Sequence, residues 1–308
     1  MSDMERLRTA VGGLTLANPI MPASGTFGSG KEYGDFYDIG RLGAVVTKSV
    51  TLGPTRGNPP PRVAETPSGM LNAIGLQNEG VEVFLRDLLP PLREKAARVV
   101  VNVAGKSEDD YLELTRRLAD APVDALEINI SCPNVKEGGI AFGTCADTAG
   151  RLVEKLRLAA GDKPMWVKLT PNVTDIVPIA RAVEAAGADA LVVSNTFLGM
   201  AVDIEKRRPI LSNITGGLSG PAVHPMVLRL LWQVRAAVKC PLIAAGGVKS
   251  VAEVVAYLLT GASAVQVGAM NFVEPGICSR LVDDLDTWLS GRGETVEGIV
   301  GTLDCGGK

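Results

Sequence analysis

Short apolar runs rich in Val, Ile and Ala recur along the chain, each followed by a longer stretch with apolar residues at helical spacing. Eight such runs predict strands at 20–25 (IMPASG), 43–50 (GAVVTKSV), 98–104 (RVVVNVA), 124–131 (DALEINIS), 165–170 (MWVKLT), 190–196 (ALVVSNT), 241–247 (PLIAAGG) and 264–270 (AVQVGAM). Helices are expected at 81–95, 107–119, 147–160, 174–187, 225–238, 250–260 and 275–290, with a shorter first one near 30–38. Strict alternation of eight strands with helices predicts an α/β fold closed into a (β/α)8 TIM barrel rather than an open doubly wound sheet. The residues before the first strand, LRTAVGGLTLANP, alternate around a Gly-Gly pair and predict an N-terminal hairpin plugging the lower end of the barrel. Three connections, 51–79, 132–146 and 197–223, are too long for plain loops. All three follow strands, so these βα-loop insertions belong to the C-terminal face, where barrel enzymes keep their active sites.

The 308 residues, 46% hydrophobic, suffice for one barrel domain spanning 1–308. The 31 basic and 34 acidic residues leave a net charge of −3, so no basic field draws the chain to nucleic acid. The start, MSDMERLRTAVGG, has no apolar leader core, and no run reaches the apolar length of a membrane span. The expectation is a soluble, cytoplasmic protein. Five cysteines, Cys132, Cys145, Cys240, Cys278 and Cys305, are scattered without a CxxC pair, which argues against a zinc ribbon or an iron–sulfur cage within this chain. His224 is the single histidine, so His-rich metal sites and histidine triads are disfavoured.

Chemistry concentrates at the strand ends. Ser24, Lys48, Asn102, Asn129, Lys168 and Asn195 interrupt otherwise apolar strands near their C-terminal ends. In DALEINIS, alternation turns Leu126, Ile128 and Ile130 toward the helices and Glu127, Asn129 and Ser131 inward. A buried Glu127 needs a partner, and an inward lysine, Lys48 or Lys168, is the natural one. The competing reading makes these lysines structural ion-pair members only. Strands seven and eight end in glycine-rich AAGG and VGAM, containing Gly246, Gly247, Gly268 and Ala269, and GGLSG at 216–220 adds a third such segment. Barrels use the last two loops for phosphate, since glycine lets backbone N–H groups come close. Each segment alone is also ordinary turn chemistry. Cys132, between two asparagines in NISCPN, sits just beyond strand four, where a thiol of modestly lowered pKa serves as a proton acceptor. The other four cysteines read as structural. The amides and backbone of NAIGLQN (72–78) suit a planar ligand with several hydrogen-bonding edges, or equally a turn-rich loop.

Taken together, PASGTFG (22–28), TKSVT (47–51), NAIGLQN (72–78), NISCPN (129–134), VKLTPN (167–172), SNT (194–196), GGLSGPAV (216–223), AAGG (244–247) and VGAMNF (267–272) resemble the class 1 dihydroorotate dehydrogenases along essentially the whole chain. The resemblance implies FMN at the barrel mouth, contacted by Ser24, Lys48, Asn102, Asn129, Lys168, Ser194, Gly220, Gly246, Gly247, Gly268 and Ala269. It also implies a pyrimidine held by Lys48, by Asn72, Ala73, Ile74, Gly75 and Leu76, and by Asn129, Asn195 and Thr196. Cys132 would remove the C5 proton of dihydroorotate while C6 delivers hydride to the flavin, with Lys48 beside the substrate and Lys168 countering charge on the reduced ring. Class 2 relatives use serine as the base and carry an N-terminal hydrophobic extension, whereas this chain has Cys132 and no such segment.

Within class 1, NTFLGMAVD followed by RRPILSNITGGLSGPAV is more similar to the NAD-linked catalytic subunit than to the fumarate-using homodimer. That type implies a homodimer within a heterotetramer, whose second polypeptide carries FAD and a [2Fe–2S] cluster and passes electrons to NAD. Alanine stands at 269 where threonine is frequent, which retains a backbone N–H but no hydroxyl. Three rivals remain: an FMN barrel acting on dihydropyrimidine bases, a cofactor-free barrel using Lys48 or Lys168 as a Schiff-base nucleophile, and a scaffold with decayed chemistry, against which Lys48, Cys132 and Lys168 argue.

Overall fold

The computed structural model describes residues 3–131, 136–137 and 140–306. Eight parallel strands form one sheet: β1 (Ile20–Pro22), β2 (Val45–Val46), β3 (Val99–Val103), β4 (Ala125–Asn129), β5 (Met165–Lys168), β6 (Ala190–Val193), β7 (Leu242–Ala245) and β8 (Ala262–Val267). Their spatial order is β1-β8-β7-β6-β5-β4-β3-β2. The Gly43 N–H donates to the Ile20 carbonyl over 2.9 Å and joins the two ends of that order, giving a (β/α)8 barrel. A side chain at 43 has no room there, because a Cβ would stand 2.1 Å from the Asn18 carbonyl oxygen.

Strand alternation sorts the apolar residues into two layers. Val46, Val100, Ala125, Trp166, Val192, Ile243 and Ala264 pack together in one cluster with Val11 and Leu16 of the hairpin. Val101, Leu126, Ile128, Val167, Leu191 and Val265 belong to the larger cluster shared with the helices. The hairpin pairs Thr9–Val11 with Leu14–Leu16 through Gly12 and Gly13, both at positive φ, and fills the barrel floor as its sequence predicts.

Seven of the expected helical segments form. Residues 81–95 are helical throughout but pass through a π segment at Phe84–Leu88. Pro90 and Pro91 follow directly, and a proline lacks the N–H and crowds the carbonyl four residues back, so the wider turn relieves them. The others are Glu108–Ala119, Ala146–Ala160, Val177–Ala185, His224–Arg235, Val251–Thr260 and Ile277–Ser290. The short helix expected near 30–38 is replaced by 3-10 turns at Tyr33–Asp35 and Ile39–Arg41. Glycines at 28, 30, 34 and 40 break the run that a helix would need. The expected strands also run too far at their C-terminal ends, where Ser24, Lys48 and Asn195 lie beyond the ladder and line the barrel mouth.

Two of the insertions meet over that mouth. Val63–Thr66 and Gly69–Asn72 come from 51–79, and Phe197–Met200 and Thr215–Ser219 from 197–223. They form a four-stranded antiparallel sheet in the order 197–200, 215–219, 69–72, 63–66. The pairing between the two insertions is long-range, so it has no local sequence signal. Among the described residues no helix is long and apolar enough to cross a membrane.

Candidate active site

A cavity of about 700 Å³ opens between the C-terminal ends of the strands and this overlying sheet. That volume lies within the roughly 300–1,000 Å³ of ordinary ligand and cofactor sites. Its walls include Ser24, Lys48, Asn72, Ala73, Ile74, Gly75, Leu76, Asn129, Lys168, Ser194, Asn195, Thr196, Gly246, Gly268 and Ala269, all singled out from the sequence.

At the floor, the Lys168 ammonium leaves the end of β5 and donates to Ser24 Oγ at 3.2 Å and to Gln266 Oε1 at 3.1 Å. Its Nζ stands 3.6 Å from Oε1 of Glu127, whose side chain is wholly buried. Lys168 is therefore the partner that Glu127 required. The remaining capacity of that carboxylate is met by Asn102 Nδ2 at 2.6 Å and by Gln266 Nε2. Asn102 in turn accepts from Ser49 Oγ. Every polar atom of this cluster has a partner, as a dry barrel interior demands.

Along one wall, amides converge. Asn195 Nδ2 faces Asn129 Oδ1 at 3.3 Å and also meets Ser131 Oγ, while Asn195 Oδ1 accepts from the Thr196 N–H at 2.8 Å. Tyr111 fixes β4 from outside by donating to the Asn129 carbonyl at 2.6 Å. Asn172 bridges to the Thr196 carbonyl at 3.0 Å and accepts from the Leu198 N–H at 2.8 Å, tying the overlying sheet to the loop after β5. Asn72 donates to the Gly217 carbonyl at 3.2 Å. The segment 72–76 is held by Asn58, whose N–H donates to the Ile74 carbonyl and whose Nδ2 donates to that of Ala73. Gly75, at positive φ, lies against Asn58, where a Cβ would come within 2.7 Å of its side chain. Lys48 is half-buried beside this segment; burial first, then the Arg62 charge, lowers its pKa, while Glu32 and Glu79 oppose.

At the far end, Gly246, Gly268 and Ala269 present glycine-rich backbone to the cavity from the ends of β7 and β8. A Cβ built at Gly268 meets nothing nearer than the Ala23 Cβ at 3.9 Å, so this stretch of wall is open.

Three expected residues are not part of the wall. Asn102 lies one layer down, against Glu127. Gly247 packs on His224, where a Cβ would be 2.5 Å from its Cα, and Gly220 packs equally closely on Gly69. Both have positive φ, so the backbone turn accounts for these glycines. Cys132 lies outside the described residues, although Ser131 before it and Gly143 and Thr144 after the connection line the cavity. The other cysteines are not among the lining residues: burial pushes the Cys240 thiol up to about 12 and raises that of Cys278 further, while Cys145, lowered by hydrogen bonds from Thr148 and Asp147, occupies the N-cap position of the Ala146–Ala160 helix next to Thr144.

Gln266, Ser131, Thr170 and Asn172 escaped the sequence reading as site residues. Gln266 was within reach, since it is a polar residue at an inward position of β8, the same signal that marked Glu127.

A family model described as dihydroorotate dehydrogenase matches residues 6–289. The chain is 51% identical over 303 residues to a Porphyromonas gingivalis protein, covering 97% of this chain and 98% of that one. It is 53% identical over 283 residues to a Listeria monocytogenes protein (92% and 93%) and 50% identical over 296 residues to one from Trichlorobacter lovleyi (96% and 97%). All three bear the name dihydroorotate dehydrogenase B (NAD(+)), catalytic subunit. With a barrel of this form and a match over nearly its full length, the chain belongs to the dihydroorotate dehydrogenase family.

Proposed function

We propose that this chain is the catalytic subunit of an NAD-linked dihydroorotate dehydrogenase, oxidising dihydroorotate to orotate in pyrimidine (UMP) biosynthesis in the cytoplasm. The observation that carries the reading is one cavity joining a buried ammonium, Lys168, to a wall of converging asparagines and to an open glycine-rich end. That arrangement fits FMN. The end lined by Gly246, Gly268 and Ala269 suits its phosphate, the last two βα loops being the usual phosphate site of barrels. Lys168 supplies a fixed positive charge for the ring.

When bound, the flavin supplies the two-electron acceptor for the hydride leaving C6 of the substrate. The protein's part is to hold the ring and remove the proton. Asn72, Asn129 and Asn195 offer both donors and acceptors to a planar dihydropyrimidine, and Lys48 offers an ammonium to its carboxylate. The Cys132 thiolate takes the C5 proton; with hydride lost from C6, the C5–C6 double bond of orotate forms. The sheet from the two insertions covers the cavity and limits water.

The relatives of this chain are named as catalytic subunits. We therefore extend the proposal to a partner polypeptide carrying FAD and [2Fe–2S], joined to a homodimer of this chain in a heterotetramer. Anaerobic mixing of the FMN-loaded chain with dihydroorotate should bleach the flavin, whereas dihydrouracil should not. Bleaching by both would shift the reading toward dihydropyrimidine bases. NAD reduction should require a co-purifying iron–sulfur flavoprotein, and fumarate turnover without one would replace the NAD-linked assignment.

A further inference from the structure

We infer that Glu127 is a positioning residue that keeps Lys168 charged and aimed at the flavin site. This inference rests on the FMN reading above. Glu127 lines no part of the cavity and is wholly buried, yet it stands 3.6 Å from Lys168 Nζ, whose side chain is only 5% exposed. An ammonium so far from water is held protonated only by fixed counter-charge and acceptors. The groups around it come from five strands or their ends. β1 brings Ser24 Oγ, β8 brings Gln266 Oε1, and β4 brings the carboxylate of Glu127. Beyond these, β3 brings Asn102, and Ser49 follows β2. Among the described residues Glu127 is the one carboxylate within 4.0 Å of Lys168 Nζ; its other partners, Ser24 and Gln266, are neutral.

The amides fix the polarity of the cluster. Gln266 must turn its carbonyl to the ammonium, which leaves its NH2 for Glu127 Oε2. Asn102 accepts from Ser49 and so turns its NH2 to Glu127 Oε1. The carboxylate thus receives donors only, the pattern of its ionised form. Glu127 and Gln266 together anchor Lys168 from below, and Ser24 restrains it at the cavity edge.

The consequence is electrochemical. With Glu127 ionised, Lys168 stays protonated in both redox states, and reduction of the flavin draws no proton onto it. In Glu127→Gln the lysine loses its counter-charge and sheds its proton while the flavin is oxidised, then regains it when negative charge arrives on the reduced ring. Reduction would then take up about one extra proton per two electrons, and the midpoint potential would fall more steeply with pH than in the wild type. Glu127→Asp, which keeps the charge, should restore the shallower slope.

The test is the potential of the bound flavin against pH, measured with a chemical reductant and mediator dyes in wild type, Glu127→Gln, Glu127→Asp and Glu127→Gln/Lys168→Met. The expected result is a steep slope in Glu127→Gln alone, with the double variant shallow because no lysine remains to titrate. A wild-type slope in folded, flavin-loaded Glu127→Gln overturns the inference. If Glu127→Gln does not fold, rescue of folding in the double variant supports the pairing, because removing both partners leaves no unpaired buried charge. Failure of both variants to fold overturns it in favour of a purely architectural carboxylate. No dihydroorotate is used, so an error in the substrate reading leaves this result intact, and a wild type that retains no flavin would instead refute the reading beneath it.

Discussion

The indole N–H of Trp166 donates to the backbone carbonyl of Gly12 over 3.0 Å, latching the N-terminal hairpin to the centre of the barrel. Trp166 is the largest fully buried side chain on β5, and two residues later the same strand delivers Lys168 to the opposite end. One strand thus ties the plug at the floor to the charge at the mouth.

Gly12 is the point where this latch is most vulnerable. Its φ is +50°, and a Cβ would stand 2.3 Å from Trp166 Nε1 and 2.8 Å from the Ala190 Cβ. Gly12→Ala combines a left-handed alanine with overpacking against an indole that cannot retreat, and should cost about 3 kcal/mol of stability. Urea unfolding of the flavin-free chain measures this directly. A loss below about 1 kcal/mol would mean that the hairpin is not tightly held.

Gly268 should behave in the opposite way. Its backbone carries no positive φ, and a Cβ there meets only the Ala23 Cβ at 3.9 Å. Gly268→Leu should therefore leave stability within about 1 kcal/mol while occupying the proposed phosphate end, so that FMN affinity falls about tenfold or more. Titration of the apoprotein with FMN, followed by flavin fluorescence, checks it. Undiminished affinity would move the phosphate elsewhere.

The barrel was legible in the sequence because its signal is local: each strand declares itself by Val and Ile runs, and inward residues such as Glu127 and Lys168 stand out as polar interruptions of those runs. The first helix failed because glycines at 28, 30, 34 and 40 override the apolar spacing of the surrounding residues. The sheet over the cavity was not legible at all, since Gly217 faces Asn72 across 145 residues of chain and neither segment advertises the other. At the site, sequence could nominate glycines but could not separate Gly268, whose absent side chain leaves cavity space, from Gly247 and Gly220, whose absent side chains admit neighbouring backbone.

Lys48 predicts a pH dependence. Burial and the neighbouring Arg62 lower its pKa, so its ammonium is lost at a pH below the ordinary lysine range. If that ammonium holds the substrate carboxylate, affinity is fully present below the lowered pKa and falls as pH rises through it. The KM for dihydroorotate should accordingly climb on the alkaline side. Arg62→Gln removes the second cause while retaining a donor for Gln77, its 2.8 Å partner, and should move that limb to higher pH. A limb that stays in place would detach Lys48 from the profile.

Cys132 carries the sharpest prediction, because base and cofactor functions separate there. The residues assigned above to the flavin, Lys168 and the glycine-rich end, do not include Cys132, so Cys132→Ala should bind FMN and remain yellow. Removal of the C5 proton should nevertheless slow about 100-fold or more, the usual scale for a positioned general base. Single-turnover reduction by dihydroorotate isolates that step from any partner, and its rate should fall with kcat while substrate affinity changes little. Cys132→Ser retains a proton acceptor of higher pKa, so its reduction rate should stay low at neutral pH and rise with alkalinity, in contrast to the flat, slow profile of Cys132→Ala. Unchanged reduction in Cys132→Ala would remove the thiol from the mechanism and turn attention to the remaining groups on the wall, Lys48 first, because burial and the Arg62 charge lower its pKa.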